Sequence, residues 1–178
     1  IISQFLQAIR PTRPERKPVS LNDIVMDTLT VLGPEIENRG VMLEENFADD
    51  LPTAPLDAAQ VQQALVNLIK NAIQAMTHDG TLSLTTLAEA EGVWVYVADT
   101  GGGIAQEKIN RIFQPYFTTK EKGTGLGLMI VQRIVREHGG RIELESHTGQ
   151  GTTFRLWFPL TEQQPLRLMG GEPTEHHA

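Results

Sequence analysis

Cysteine is absent from the 178 residues, which excludes disulfides and thiolate metal sites and agrees with a reducing compartment. Long apolar runs are absent too, and a membrane-spanning helix needs about 20 apolar residues, so the sequence predicts no spanning segment. Nothing at the amino terminus reads as a signal peptide. Because residue 1 is isoleucine, we expect the chain to be a piece of a longer protein.

Positive charge is also scarce. Lys and Arg number 15 against 22 Asp and Glu, a net charge of −7, and a nucleic-acid binder usually shows a basic patch. The single basic cluster lies among prolines: Arg10, Pro11, Arg13, Pro14, Arg16, Lys17 and Pro18. We interpret it as a solvated linker, so no nucleic-acid partner is expected. The negative total still leaves room for an anionic ligand held by local groups.

The chain divides into three parts. Residues 1–9 have helical apolar spacing and are predicted to end a helix that began upstream, and residues 10–18 form an extended proline-rich linker. Residues 19–161 have a globular composition and are expected to form one domain. Residues 162–178 lose periodicity and are predicted to be a disordered tail.

Within the domain, periodicity and capping residues predict helices at 20–38, 57–76, 105–113 and 126–138. Strands are predicted at 41–47, 80–88, 92–98, 141–146 and 152–158, the last four in two hairpins. Residues 48–55 and 114–123 are predicted loops, and Pro34 predicts a kink or break in the first helix. The fold class is therefore α+β, a two-layer sandwich with helices on one face of a mixed, mostly antiparallel sheet.

The predicted helix 57–76 has two unlike faces. One face is apolar: Val61, Leu65, Leu68, Ile69, Ala72, Ile73 and Met76. The other carries Asn67, Lys70, Asn71 and Gln74. Asparagine is a mediocre helix former, so two of them one turn apart suggest use, although a polar surface stripe is the alternative. An amide oxygen can complete a magnesium shell whose other ligands are phosphate oxygens and water.

Three glycine-rich segments follow. Asp99 ends a strand and precedes Gly101–Gly103, where a ligand can approach closely and a carboxylate can accept from an exocyclic amine. A simple turn with an Asx hydrogen bond is the alternative. Residues 123–128 have the spacing G-x-G-x-G at a predicted helix start, where free N–H groups attract phosphate, and Lys120 and Lys122 lie just before. A flexible hinge with solvated lysines is the alternative.

The third segment, residues 149–154, is by itself an ordinary hairpin turn. In sequence order, however, the asparagine stripe and the three glycine segments closely resemble the catalytic ATP-binding domain of sensor histidine kinases, over about residues 19–160. That family belongs to the superfamily that includes gyrase, Hsp90 and MutL, and the resemblance implies the Bergerat ATP-binding fold. The string at residues 67–76 and the short Thr-Thr-Lys segment at 118–120 look most like the nitrogen-regulator and C4-dicarboxylate sensor kinase branch.

The resemblance implies ATP and Mg²⁺ as cofactors, with Asn71 as the metal ligand and Asn67, Asn71 and Lys120 as catalytic residues. Asp99 resembles the carboxylate that reads adenine, with Thr152 supporting the base through water. Position 75 is Ala, where some members place an aromatic against adenine. The implied ATP-binding residues are Asn71, Gln74, Ala75, Asp99, Gly101, Gly103, Ile104, Phe117, Thr118, Lys120, Lys122, Gly123, Thr124, Gly125, Leu126, Gly127, Leu128 and Thr152.

The resemblance also implies the reaction. ATP-hydrolysing relatives have a general-base glutamate where this chain has Asn67, so the pattern favours phosphoryl transfer, which needs mainly positioning and charge neutralisation. The family's acceptor histidine lies on an upstream dimerisation element, and residues 1–9 resemble its end. None of the five histidines resembles an acceptor, and His138 is expected to complement a helix dipole as a cation.

The implied partners are the chain's own dimerisation and phosphoacceptor domain and a response regulator, in a homodimeric parent. This part is expected in the cytoplasm without direct membrane contact, while the parent can carry an anchor. Three alternatives stay open: an ATPase clamp or serine-directed kinase of the same superfamily, a module that binds nucleotide only to regulate a partner, and an aspartic protease. The protease needs two carboxylates that share a proton, and only one Asp-Thr-Gly occurs, at Asp99.

Overall fold

The computed structural model describes residues 13–77, 79–115 and 125–161, so the expectations for residues 1–9, 116–123 and 162–178 lie outside it. The helices and strands run in this order: β1 Lys17–Val19, α1 Leu21–Asn38, β2 Met42–Asn46, β3 Ala54–Leu56, α2 Ala58–Ala75, β4 Thr81–Glu89, β5 Gly92–Asp99, α3 Gln106–Ile109, α4 Gly127–Glu137, β6 Arg141–His147 and β7 Gly151–Pro159.

Five of the strands form one sheet in the order β2-β4-β5-β7-β6. Only β2 and β4 are parallel, and the other three pairings are antiparallel. Alternate residues of the central strands, such as Val93, Val95 and Val97, join the helices in one buried aliphatic core. The α+β class with a mixed, mostly antiparallel sheet is confirmed.

The opposite face of the sheet is covered by side chains rather than by helices. The Arg141 guanidinium lies 4.8 Å from the ring centroid of Trp94 and 4.5 Å from that of Trp157. Both indoles are thereby almost fully buried, at 4% and 8% exposure. This stack shields the large apolar groups of that face from water without a helix.

The two long helices begin at side-chain caps. Ser20 Oγ accepts from the Asp23 N–H at 3.4 Å, and Asp57 Oδ1 accepts from the Gln60 N–H at 3.1 Å. The expectation at Pro34 was a kink or a break. The helix continues through Pro34, so the break is wrong. Pro34 is on the exposed side, where water can serve the carbonyl that loses its helical partner, while Leu32 and Ile36 stay packed on the core.

Two further expectations differ from the structure. Residues 54 and 55, expected at the end of the loop 48–55, belong to β3. This strand pairs antiparallel with β1, which overlaps the end of the expected linker, and Pro18 is opposite Pro55. The expected helix 105–113 shrinks to the four residues of α3, because Ala105 provides no side-chain cap and the chain continues in turns.

Candidate functional site

Four residues align across the sheet where its central strands meet the loops. Asp99 at the end of β5 is opposite both Leu82 on β4 and Thr152 on β7, and Thr152 is opposite Ser146 on β6. All four share the face that carries the buried core residues, since Val97 and Phe154 lie two positions along the same strands. Asp99 and Thr152 are therefore neighbours beneath the helical layer.

The segment after Asp99 packs against the carboxyl end of α2. Asp99 Oδ1 accepts from the Gly101 N–H at 2.8 Å, which is the Asx turn of the simpler interpretation. The Gly102 N–H donates to Ala75 O at 3.2 Å, and a Cβ on Gly101 would lie 2.7 Å from the same oxygen. The glycines thus let this loop touch the helix that carries the asparagines.

Gly103 connects the same loop to the β6–β7 hairpin. Its φ is +67°, and a Cβ there would lie 2.0 Å from His147 O, so both conformation and space require glycine. The Gly149 N–H donates to Gly102 O at 2.8 Å. The third glycine segment, an ordinary turn when taken alone, therefore supports the loop that follows Asp99.

Ser146 was not predicted from the sequence, yet it connects three parts of this site. Its Oγ lies 2.8 Å from the Ile104 N–H, 2.9 Å from Gly151 O and 3.0 Å from Thr152 Oγ1. Ser146 and Thr152 are almost fully buried, at 5% and 6% exposure. A lone serine on a strand gives no sequence signal, because its importance depends on the register of β6 against β7.

The asparagine stripe of α2 faces the start of α4. An ideal Cβ on Gly127, the first residue of α4, would lie 3.7 Å from Asn67 Oδ1. Asn67 Nδ2 is buried and has no hydrogen-bond partner among the described residues. Leu126, the N-cap residue of α4, makes no side-chain hydrogen bond to the N–H groups of the first turn. The side chain of Asn67 therefore lies beside the first residue of α4.

The stripe is otherwise as expected. Asn67 and Asn71 are half-buried, and Lys70 and Gln74 are exposed. The opposite apolar face is buried, including Met76, which lies just past the end of the helix. Lys70 Nζ lies 4.0 Å from Glu35 Oε2 with both side chains substantially exposed, a pair that contributes little stability. The asparagines are therefore the distinctive part of this face.

The described residues do not by themselves supply a complete metal site. Among the residues that the structure describes, no group of three His, Asp or Glu side chains could hold an ion. The asparagine amides of α2 do not form a metal cage of their own, but they fit Mg²⁺ carried by phosphate oxygens, for which Asn71 Oδ1 would be one protein ligand.

Within the described part of the chain, no helix is both long and apolar enough to cross a bilayer.

The other predicted ligands divide by position. Ala75, Gly101, Gly103 and Ile104 lie around the loop after Asp99, whereas Gly125, Leu126, Gly127 and Leu128 lie at the start of α4. Phe117, Thr118, Lys120, Lys122, Gly123 and Thr124 fall outside the described residues. The assignment of individual ligand roles stays a prediction for all of them.

The far end of α4 differs from the expectation for His138. Its ring is 2% exposed, and burial lowers its pKa below the usual value, so the neutral form is favoured. Nδ1–H donates to Ile134 O at 2.8 Å, and Nε2 accepts from the Asp57 N–H at 3.0 Å. The expected dipole-complementing cation is therefore wrong; His138 is a neutral link between two helix ends.

Comparison with known proteins gives the family. Residues 56–162 match the family described as histidine kinase-, DNA gyrase B- and HSP90-like ATPases. The sensor histidine kinase ZraS of Escherichia coli K12 is 39% identical over 93% of this chain, and sporulation kinase C of Bacillus subtilis is 36% identical over 90%. The chain spans 36% and 38% of the length of these two relatives.

Solved structures of histidine kinases are similar to this chain in both sequence and fold. The catalytic domain of histidine kinase ThkA is 31% identical with a TM-score of 0.77, and the match covers 83% of this chain and 97% of that domain. Full-length ShkA in complex with AMPPNP is 27% identical with a TM-score of 0.80, over 92% of this chain and 35% of that one. The chain therefore belongs to the histidine kinase-, DNA gyrase B- and HSP90-like ATPase family, as a catalytic domain of the sensor histidine kinase type.

Proposed function

We propose that this domain binds Mg-ATP between α2, the loop after Asp99 and the start of α4, and donates the γ-phosphoryl group to a histidine on a dimerisation element of its parent protein. The observation that carries the proposal is Asn67, which lies beside the start of α4 and whose Nδ2 is a buried donor with no partner among the described residues. A buried unpaired donor costs free energy, and a phosphate oxygen placed there would satisfy it.

The two ends of α2 have different tasks in this proposal. At the carboxyl end, Asp99 and Thr152 accept hydrogen bonds from the base, directly or through water. Asn71 lies one turn before that end and holds the metal. Asn67 lies one turn earlier still and donates to phosphate. The bound magnesium neutralises charge on the phosphate oxygens. Since the Asn67 amide cannot take a proton at neutral pH, the site positions the phosphoryl group for transfer and does not activate water.

The relatives give this proposal its wider setting. ShkA was solved with AMPPNP, and ThkA, 25% identical with a TM-score of 0.78, was solved in complex with the response regulator protein TrrA. By analogy we propose a response regulator as the final phosphate acceptor here, a homodimeric parent and a cytoplasmic location. An ATPase clamp of the same superfamily is the alternative, and Asn67 in place of a general base argues against it.

Calorimetric titration of ATP with and without magnesium tests the binding half. Wild type should bind Mg-ATP more tightly than ATP alone, and Asn71→Ala should lose most of that magnesium effect. Asn46→Ala, an exposed asparagine on β2, is the matched control and should titrate like wild type. A magnesium effect that persists in Asn71→Ala would overturn the metal assignment.

Phosphoryl transfer needs a separate assay. This chain is mixed with ATP labelled at the γ-phosphate and with a dimerisation element from a similar sensor kinase, and acid-labile phosphohistidine is measured. We expect label on the dimerisation element with wild type and none with Asn71→Ala. Binding without any phosphohistidine would favour a purely regulatory nucleotide module, and fast multiple-turnover hydrolysis by the chain alone would favour the clamp.

A further inference from the structure

We propose that Ser146 is a positioning residue for base recognition: it turns the hydroxyl hydrogen of Thr152 away from the base, so that Thr152 can only accept. This inference rests on the proposed function, because it assigns a role in nucleotide selectivity within that same site. Ser146 lies outside all three glycine segments.

The hydrogen bonds of Ser146 leave one consistent arrangement. A serine hydroxyl has one hydrogen to donate and two lone pairs to accept with. Gly151 O, at 2.9 Å, can only accept, so it takes the Ser146 hydrogen. The Ile104 N–H, at 2.8 Å, can only donate, so it occupies one lone pair. One lone pair remains for Thr152.

Thr152 Oγ1 lies 3.0 Å from Ser146 Oγ, a distance at which either oxygen could donate. Because the Ser146 hydrogen is already committed to Gly151 O, the Thr152 hydroxyl supplies the hydrogen of this bond. The reverse arrangement would leave Gly151 O facing a lone pair at 2.9 Å in a buried place, which is unfavourable. Thr152 therefore presents only lone pairs to its other neighbours.

Asp99, directly opposite Thr152 across β5 and β7, carries a carboxylate, which accepts in its ionised form. Two neighbouring acceptors suit a base edge that donates. Adenine has an amino group at position 6, whereas hypoxanthine and guanine have an oxygen there, which would face lone pairs. A water held by both side chains would give them its two hydrogens and likewise present an acceptor to the base.

A purely structural role makes a different prediction. Ser146 also ties the loop after Gly103 to β6 through the Ile104 N–H, so its loss could weaken every nucleotide equally. A change in the ratio of ATP to ITP affinity separates the two roles. ATP and ITP share the ribose and the triphosphate, so damage to the phosphate site cancels from that ratio. Damage to the loop that changes the ratio would add to the effect of Thr152→Val, whereas a role of Ser146 through Thr152 would not.

The experiment is calorimetric titration of the whole chain with Mg-ATP and Mg-ITP. Wild type should prefer ATP. Ser146→Ala frees the Thr152 hydroxyl to donate to the 6-oxygen, so the preference should fall about five- to tenfold, the value of one hydrogen bond. Thr152→Val should also reduce it. Ser146→Ala combined with Thr152→Val should match Thr152→Val alone, because Ser146 acts through Thr152.

Two further variants complete the test. Ser83→Ala on β4 is the matched control and should keep the wild-type ratio, since Ser83 alternates with the core-facing residues Leu82 and Leu84. Ser146→Cys keeps the shape of the side chain with a slightly larger atom and weakens all three hydrogen bonds, and it should lower the preference if Ser146→Ala does not fold. A wild-type chain that binds no ATP contradicts the proposed function. If wild type prefers ATP but the Ser146 variants keep its ratio of ATP to ITP affinity, only the role of Ser146 is overturned. The same holds if wild type shows no preference between ATP and ITP.

Discussion

The ring of His138 accepts a hydrogen bond at Nε2 from the backbone N–H of Asp57, across 81 positions of sequence, and joins the end of α4 to the start of α2. Asp57 in turn accepts from the Glu15 N–H at 3.0 Å, and Arg16 donates to Glu137 O. These hydrogen bonds therefore join the start of α2, the end of α4 and the segment before β1 at one place. The opposite ends of the same two helices contribute to the candidate site.

The first prediction concerns pH. In the folded state the pKa of His138 is lowered, first by burial and also by the Arg16 cation, while Ile134 O and the carboxylates of Asp57 and Glu137 act in the opposite direction. The folded state therefore resists protonation. The stability from neutral His138 is complete above its unfolded pKa of about 6.5 and is lost as pH falls through that value towards the folded pKa.

Urea unfolding of wild type and His138→Gln between about pH 7.5 and 5.5 checks this, because glutamine can accept from the Asp57 N–H without titrating. We expect the free energy of unfolding to fall less with acid in His138→Gln than in wild type. His147→Gln, at an exposed histidine on β6, should keep the wild-type slope. Equal slopes for all three would show that His138 is not buried as a neutral acceptor.

The second prediction compares the two helix caps. Asp57→Ala removes the bond to the Gln60 N–H at 3.1 Å and the bond to the Glu15 N–H, and should lower the free energy of unfolding by about 1–2 kcal/mol. Ser20→Ala removes one longer bond of 3.4 Å and should cost less than about 1 kcal/mol. Urea denaturation measures both, and a larger loss in Ser20→Ala would contradict this ranking.

How far the sequence could predict this fold depends on whether the signal is local. The faces of α2 and the two hairpins follow from periodicity and turn residues within a few positions, and they were predicted nearly to the residue. The β1–β3 pair was missed because three-residue strands with Pro18 opposite Pro55 have no local strand signal, and only their distant pairing defines them.

The candidate site shows the same division. Asp99 and the glycines could be found because a motif series marks them, whereas Ser146 and Arg16 could not. Ser146 acquires its role only from the register of β6 against β7, and Arg16, expected in a solvated linker, reaches the last turn of α4. His138 was misread because its position at a helix end is visible in the sequence but its burial is not.

The third prediction uses two adjacent glycines. Gly103→Ala places a Cβ 2.0 Å from His147 O at a φ of +67°, so it should lower the free energy of unfolding by more than about 2 kcal/mol and abolish ATP binding. Gly102→Ala meets nothing within 4 Å and should change stability by less than about 0.5 kcal/mol. Thermal unfolding and ATP titration distinguish them, and a tolerated Gly103→Ala would refute the described loop.

The fourth prediction tests the base-reading carboxylate. In Asp99→Asn the amide oxygen can still accept from the Gly101 N–H, so the loop should fold, but the amide nitrogen brings a donor where the base needs acceptors. ATP affinity should fall by about ten- to a hundredfold in titration, with thermal stability nearly unchanged. Asp49→Asn, at an exposed position after β2, should bind like wild type. Wild-type affinity in Asp99→Asn would remove Asp99 from the site.

The fifth prediction sets stability against binding at Asn67. Because Asn67 Nδ2 is buried and has no partner in the part of the chain that the structure describes, we expect the nucleotide-free protein to bear the cost of an unsatisfied donor, together with the low helix propensity of asparagine. Asn67→Ala should therefore raise the free energy of unfolding of the nucleotide-free domain by about 1 kcal/mol in urea denaturation while lowering its affinity for Mg-ATP.

Asn38→Ala, at an exposed asparagine that ends α1, is the control and should change stability by less than about 0.5 kcal/mol and leave ATP affinity unchanged. The expected rise in stability and the expected loss of ATP affinity at Asn67 have one cause. Its amide donor has no partner among the described residues and would pair with phosphate in the nucleotide-bound protein. A nucleotide-free Asn67→Ala domain that is less stable than wild type would mean that the amide already has its partner within the protein, and Asn67 would then belong to the packing of α2 against α4 and not to phosphate binding.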